Sequence, residues 1–125
     1  MALKLRKNRA PPPPPGCPMA NCMEVLGGAW TPHVIWQLSG GPRRFGELER
    51  DIGGISAKVL AARLRQLEDK GVVARTVDGA TKPPSVEYSL TPLGRELIPV
   101  IDALVKVGTR LREERMAQRR AAVPR

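Results

Sequence analysis

Three features of this 125-residue sequence predict a mainly helical α+β fold. Apolar residues recur at helical spacing in several short segments, most of which end at glycine pairs. Two later segments alternate apolar and polar residues and contain many β-branched side chains, which is typical of paired strands. The last apolar segment returns to helical spacing and continues toward the C-terminus. We therefore expect four helices, a two-stranded β-hairpin and one long final helix.

The first two predicted helices have sharp ends. One spans about residues 19–26 and ends at the glycine pair that follows it. The next begins with Thr31 as its N-cap and with Pro32 in the first helical position, where the missing amide hydrogen is not needed. It ends before Gly40, because glycine is a common residue just past the last turn of a helix.

The third and fourth predicted helices lie close together in the sequence. The third spans residues 44–51 and is closed by Gly53. The fourth begins with Ser56 as its N-cap and ends before Gly71. Its leucines repeat at a spacing that places them on one side of a helix, and they are Leu60, Leu64 and Leu67.

The hairpin and the long helix complete the predicted domain. The strands span residues 72–77 and 86–90, and the loop between them contains one glycine and two prolines. Thr91 and its following proline repeat the N-cap pattern and begin the last helix. Pro99 lies inside that helix and is expected to kink it, because proline removes one backbone hydrogen bond.

The positive charge of the chain, +9 in total, lies mostly at its two ends. Residues 1–10 carry four basic and no acidic side chains, residues 17–110 carry twelve against ten, and residues 111–125 carry five against two. We expect a flexible, basic, proline-rich arm over residues 1–16, a folded domain over residues 17–110, and a basic tail that is helical at first and frays from Ala117. Net charge is therefore weak evidence for a nucleic-acid partner, and the positions of the basic residues within the domain must decide.

Several protein classes are excluded by what the sequence lacks. No apolar run approaches the roughly 18 residues of a membrane span, and no export signal is visible, so we expect a cytoplasmic protein without a membrane partner. Two cysteines and a single histidine are too few for a zinc site, and His33 is expected to face solvent or to pack at the start of the second helix. Since the chain also lacks a Ser/His/Asp set and a phosphate-binding glycine loop, we expect neither catalysis nor a cofactor.

The fourth helix presents a face suited to the DNA major groove. At 100° per residue, the side opposite its leucines carries short and basic side chains. Short side chains let a helix approach base pairs closely, while Lys and Arg bind phosphates or guanine edges. Helices followed by a hairpin are the order of a winged helix-turn-helix, in which the hairpin is the wing. The predicted DNA contacts on and beside this helix are Ser56, Ala57, Lys58, Ala61, Ala62, Arg63 and Arg65.

A succession of short motifs extends from residue 17 to residue 94. In chain order they are Cys17-Pro18, residues 27–31 (GGAWT), 41–48 (GPRRFGEL), 54–60 (GISAKVL), 63–67 (RLRQL), 86–91 (VEYSLT) and Leu93-Gly94. This succession resembles the HxlR-type transcriptional regulators of the MarR-like superfamily, over about residues 17–110. The resemblance implies a homodimeric repressor or activator, of which we expect a repressor, that binds a double-stranded DNA operator.

The resemblance also implies roles for single residues. Arg43 and Arg44, at the predicted start of the third helix, correspond to basic residues that contact the DNA backbone, and Lys82 corresponds to a wing residue that contacts the minor groove or a phosphate. Cys17 corresponds to a cysteine that senses oxidants or electrophiles such as quinones, which requires a thiolate. The alternative is that Cys17 packs without reacting. Cys22 is expected in the core.

A homodimer would bring two recognition helices to a pseudo-palindromic operator, with half-sites about 34 Å apart or a small multiple of that distance. The final helix carries more apolar residues than a small core requires, and the first helix completes the same seam. The predicted interface residues are Val25, Leu26, Leu97, Ile101, Leu104 and Val105. The alternative is a final helix that only closes its own core.

Other triggers and functions remain open at this point. A small-molecule inducer in the seam between the first and last helices, with Trp30 and Trp36 as walls, would switch the same DNA-binding protein. Each tryptophan is nevertheless expected to fill the core. A nucleoid-type protein would bind DNA through its basic ends, with steep salt dependence and little sequence preference. A winged-helix domain that binds another protein is a further alternative.

Overall fold

The computed structural model describes residues 10–12 and 18–123. It confirms a mainly helical α+β winged helix-turn-helix with a long C-terminal helix. In chain order the elements are α1 (Pro18–Leu26), α2 (Thr31–Leu38), β1 (Arg43–Arg44), α3 (Phe45–Ile52), α4 (Ala57–Asp69), β2 (Val73–Asp78), β3 (Ser85–Leu90), α5 (Pro92–Arg95) and α6 (Ile98–Ala122).

The sheet has one strand more than the hairpin predicted from the sequence. Strands β2 and β3 pair antiparallel from Val73 opposite Leu90 to Asp78 opposite Ser85, which confirms the hairpin with slightly shifted ends. The two-residue strand β1 pairs on the other side of β3, so the strand order is β1-β3-β2. The third helix, expected over about residues 44–51, begins one residue later at Phe45, because Arg44 belongs to β1. A strand of two residues is too short to leave an alternating pattern in the sequence.

The core lies between α2, α4 and the sheet. The three leucines of the α4 stripe are buried as predicted, each with 1% or less of its surface exposed. The buried apolar side chains around them are Val34, Ile35, Leu38, Leu48, Ile55, Val72, Val73, Leu90 and Ile101. Because α4 uses its leucine side for this core, its opposite side is left at the surface.

Two of the three predicted N-caps are confirmed. The Ser56 hydroxyl accepts the Val59 amide hydrogen bond at 3.1 Å, and the Thr91 hydroxyl accepts that of Gly94 at 3.0 Å. The prediction for Thr31 is wrong, because this residue is already helical and its buried hydroxyl donates to the Gly27 carbonyl at 3.0 Å. Trp30 holds the N-cap position of α2 instead, with a left-handed φ of 72°.

The final helical region is divided into two helices. The predicted kink at Pro99 is wrong, because the break falls after α5 and Pro99 lies in the first turn of α6, where it disrupts no helical hydrogen bond. Helix α6 continues to Ala122. Among the described residues, no helix is both long and apolar enough to cross a membrane.

Candidate nucleic-acid interface

The outward side of α4 is short-chained and basic, as the sequence predicts. Lys58 and Arg65 are exposed, and Ala57 at the start of the helix is exposed as well. Ala61 and Ala62 are half-buried and add no bulk between the two basic residues. A duplex could therefore approach the backbone of α4 closely, with the two cationic side chains reaching past the alanines.

The start of α4 offers donors for an anion. Ser56 is exposed and its oxygen accepts the Val59 amide, so its hydroxyl hydrogen remains free to donate outward. The first amides of a helix lack internal acceptors and carry the positive end of the helix dipole. A phosphate at this end of α4 would thus meet a hydroxyl and a favourable electrostatic field.

Strand β1 holds Arg43 and Arg44 beside the start of α3. Arg43 is half-buried, and its Nη1 donates to the Pro42 carbonyl at 2.9 Å. Arg44 is exposed, and its backbone amide donates to Glu47 Oε1 at 2.9 Å, which caps α3. Pairing with β3 orients both arginines through the sheet, where the sequence predicted a helix start.

The sheet register places further charges beside these arginines. Residues that face each other across strands project from the same side of a sheet. Arg44 faces Glu87 on β3, and Glu87 faces Thr76 on β2. Arg43 faces Tyr88, which in turn faces Arg75. The exposed Arg75 is a basic residue that the sequence reasoning missed, although the alternation of β2 would have placed it with Val77 on one side of the strand.

The wing loop between β2 and β3 is ordered by its own hydrogen bonds. Asp78 Oδ1 accepts the Ala80 amide at 3.0 Å, and the Thr81 hydroxyl donates to the Asp78 carbonyl at 3.1 Å. The Ser85 amide donates to the Thr81 hydroxyl at 2.9 Å, which closes the loop. Lys82 is exposed within this closed loop, as a wing contact requires.

Arg63 lies at the margin of the leucine stripe of α4, and its guanidinium donates to acceptors of its own chain. Its Nε donates to the Ala29 carbonyl at 2.7 Å, and its Nη1 donates to Gln66 Oε1 at 3.2 Å. A helical projection of α4 alone does not show the Ala29 carbonyl, because this acceptor belongs to the loop that packs beside the helix. Arg63 is thus drawn toward the α1–α2 turn and away from the outward face.

Comparison with known proteins agrees with this geometry. The HxlR-like helix-turn-helix family matches residues 25–116. The chain is 43% identical over 93 residues to the uncharacterised HTH-type transcriptional regulator sll1512 of Synechocystis sp., covering 74% of this chain and 68% of that protein. It is 41% identical over 95 residues to the uncharacterised regulator YkvN of Bacillus subtilis, covering 76% of this chain and 80% of YkvN.

A solved structure gives the same result. The redox regulator HypR in its oxidised form superposes with a TM-score of 0.70 at 36% identity, covering 74% of this chain and 95% of HypR. The chain belongs to the HxlR-like helix-turn-helix family. It is a transcriptional regulator with a helix-turn-helix DNA-binding fold, and its family and relatives are regulators and not enzymes.

Of the two cysteines of this HxlR-like protein, the structure describes only Cys22. Cys17, the predicted redox residue, lies outside the described residues. The prediction that Cys22 belongs to the core is wrong, because its side chain on α1 is exposed. It borders a groove of about 300 Å³ between α1 and the α5–α6 region, lined by apolar residues such as Val25 and Leu97. Helix α1 contributes no fully buried side chain, so its residues lie at the edge of the domain.

The predicted ligand seam also differs from what the sequence suggested. The expectation that Trp36 fills the core is wrong, because its side chain is 39% exposed. Trp36 borders a groove of about 270 Å³ between α2 and α6, next to Leu104 and Val105. Trp30 packs against the core and its ring lies 5.1 Å from that of His33, which is exposed as expected. The tryptophans therefore do not wall a common seam between the first and last helices.

The predicted dimer residues divide into three groups by their exposure. Ile101 is 2% exposed and belongs to the core of its own chain, so its assignment to the dimer interface is wrong. Val25, Leu26 and Leu97 are half-buried against that core. Leu104 and Val105 are exposed, and the further exposed apolar residues of α6 are Val100, Val107, Leu111 and Met116.

The opposite side of α6 is polar. Asp102 and Lys106 lie about 160° from Leu104 around the helix. Their carboxylate and ammonium groups are 2.8 Å apart, and this contact raises the pKa of Lys106 above its ordinary value. Between Val100 and Leu111, helix α6 therefore carries exposed apolar side chains that no other described element fully covers.

Proposed function

We propose that this HxlR-like protein is a homodimeric repressor that binds a pseudo-palindromic operator, with α4 as the recognition helix. The observation that carries this proposal is the division of α4 into a fully buried leucine side and an outward side of short and basic residues. A helix with this division can enter a major groove while its other side remains fixed to the domain.

The proposed DNA contacts are of two kinds, those with base edges and those with the phosphate backbone. Lys58 and Arg65 are the candidates for base edges, since both are exposed on the outward side of α4. Ala57, Ala61 and Ala62 permit close approach, and Ser56 donates to a phosphate at the start of the helix. Arg43, Arg44 and Lys82 bind phosphates on either side of the groove, and Arg75 on β2 adds positive charge to the wing.

Dimerisation through α6 would pair two copies of α4, one for each half-site of a pseudo-palindromic operator. The exposed apolar side of α6, including Leu104 and Val105, supplies a surface that a second copy would bury, and Val25, Leu26 and Leu97 border it. Light scattering after size-exclusion chromatography tests this step. A monomer at micromolar concentration would contradict both the dimer and the palindromic operator.

Oxidation or alkylation of Cys17 is the proposed trigger, acting in the cytoplasm without a cofactor. The support is the similarity to a protein that is described as a redox regulator in an oxidised form. We expect diamide or a quinone to release DNA from the unaltered protein. Release that is unchanged in Cys17→Ser would refute this trigger. It would favour a small-molecule inducer instead, for which the groove beside Trp36 is the site to examine.

A footprint on the DNA upstream of the protein's own gene tests the proposed function directly. We expect two protected half-sites of related sequence, centred about one duplex turn or a small multiple of it apart. Protection that extends along any DNA and disappears steeply with added salt would instead support a nucleoid-type protein that binds through its basic ends.

A further inference from the structure

We propose that Arg63 is a positioning residue that fixes α4 against the turn between α1 and α2, and that it does not itself bind DNA. The turn spans residues 27–30 and belongs to the sequence motif of residues 27–31, which the proposed DNA contacts leave without a role. This inference rests on the proposed function, because the orientation of α4 matters for recognition only if α4 reads bases.

The Arg63 guanidinium is held at two of its nitrogen atoms. Nε donates to the Ala29 carbonyl at 2.7 Å across 34 positions of sequence, and Nη1 donates to Gln66 Oε1 at 3.2 Å on the same helix. A charged donor forms a shorter and stronger hydrogen bond than a neutral one, and the planar guanidinium is oriented by two such bonds. Arg63 therefore links the middle of α4 to a backbone carbonyl of the turn.

The turn adopts an unusual backbone that brings this carbonyl to Arg63. Gly28 has a φ of 93°, and a β-carbon there would lie 3.1 Å from Arg63 Cζ, which is tighter than ordinary contact. Trp30 has a left-handed φ of 72°, which is uncommon for a bulky side chain. Ala29 lies between these two residues. The turn thus combines a close approach that favours glycine with a strained tryptophan, and the result is the Ala29–Arg63 hydrogen bond.

Two further contacts join the same segment to the ends of α4. A β-carbon at Gly54, just before the helix, would lie 3.5 Å from the Trp30 ring, so the ring packs against this position. Lys70, just after the helix, donates to the Glu24 carbonyl of α1 at 2.6 Å. The end of α1 and the following turn therefore contact α4 near its start, at its middle and near its end. Arg63 supplies the middle contact.

Binding measurements with two duplexes separate a positioning residue from a phosphate contact. One duplex is the sequence that the full-length unaltered protein selects from a random library, and the other is a random duplex of equal length. For Arg63→Gln we expect roughly tenfold weaker binding of the selected duplex, a coupling of ordinary size, with unchanged binding of the random duplex and an unchanged salt slope. If Arg63 binds a phosphate, both affinities fall and the slope decreases by about one, and the proposal is overturned.

Two variants control for charge. Arg63→Lys keeps the positive charge but cannot reproduce the two-nitrogen geometry, so we expect it to share the loss on the selected duplex. Wild-type binding by Arg63→Lys would show that charge alone matters and would overturn the proposal. Arg95→Gln removes an exposed positive charge on α5, away from the turn, and is expected to bind both duplexes as the unaltered protein does.

Hydrogen exchange without DNA tests the contact itself. We expect the amides of Gly27 and Val34, which donate to the Met23 and Trp30 carbonyls at the two ends of the turn, to exchange several-fold faster in Arg63→Lys than in the unaltered protein, while thermal unfolding stays cooperative. Unchanged exchange would contradict the proposal even if DNA binding were weaker.

Gln66→Leu, which removes only the longer hydrogen bond, gives a milder version of the same test if the arginine variants do not fold. If the unaltered protein selects no sequence, the proposed function fails, and the exchange result still decides whether Arg63 holds the turn.

Discussion

At the scale of single residues, Gly94 and Thr91 determine how α5 is attached beside the hairpin. The Thr91 hydroxyl donates to the Gly71 carbonyl at 2.6 Å, and the Thr91 amide donates to the Val72 carbonyl at 3.0 Å. Gly94 is buried, and a β-carbon at this position would collide with the same Val72 carbonyl. The Leu93-Gly94 motif therefore has a steric explanation in the packing of α5 on the start of β2.

Gly94→Ala is expected to lower the free energy of unfolding by about 1 to 3 kcal/mol, because the backbone of Val72 must move to admit a methyl group. Urea unfolding followed by circular dichroism measures this change. Gly46→Ala is the matched control, since nothing lies within 4 Å of a β-carbon there, and it should be neutral or mildly stabilising. Equal stability of the Gly94 variant and the unaltered protein would contradict this packing.

Ser56 has a structural role and a proposed binding role, which two substitutions can separate. Ser56→Ala removes the cap of α4 and should cost about 1 kcal/mol of stability. Ser56→Asp keeps a capping oxygen and places a carboxylate where we expect a phosphate, so stability should persist while affinity for any duplex falls. Thermal unfolding and DNA titration of both variants provide the two readouts. Wild-type DNA affinity in Ser56→Asp would show that no phosphate binds at this end of α4.

At the scale of elements, the sequence patterns predict what periodicity and caps can encode. The leucine stripe and Ser56 define α4, and alternation defines the β2–β3 hairpin. Strand β1 leaves no pattern because it has two residues, and its pairing with β3 is a contact between distant parts of the chain. The break before α6 was missed for a related reason. Pro99 is compatible with a kink or a helix start, and local sequence does not distinguish the two.

The candidate site was predictable to the same extent. Helical projection places Lys58 and Arg65 outward, and both are exposed. It cannot show that Ala29 supplies an acceptor for Arg63, since that contact depends on how a loop folds back on α4. Nor can it place Ile101 in the core, because both a core and a dimer seam require an apolar residue at that position.

Strand β3 carries an acidic residue beside a proposed phosphate contact. Glu87 faces Arg44 across the sheet, and both are exposed. Glu87→Gln removes a carboxylate beside a proposed phosphate contact, so we expect it to strengthen binding of selected and random duplexes alike by a few-fold. Fluorescence anisotropy at fixed salt measures the change. Unchanged affinity for both duplexes would indicate that this side of the sheet lies away from the DNA.

At the scale of the whole molecule, the net positive charge and the proposed recognition residues lie in different parts of the chain. Residues 17–110 carry only two more basic than acidic side chains, whereas the two ends carry most of the net positive charge. The ends would add salt-sensitive affinity that any duplex shares, and α4 would supply the preference for one sequence. The exposed apolar side of α6 would join two such domains and so set the spacing of the half-sites.

The most direct test of the account is the ratio of affinities for the selected and random duplexes at one stated salt concentration. Lys58→Ala and Arg65→Ala are each predicted to lower the difference in binding free energy between the two duplexes by roughly 1 to 3 kcal/mol. Arg43→Ala is predicted to weaken binding of both duplexes about equally. The same uniform loss in all three variants would mean that α4 does not read bases, and would contradict the central claim.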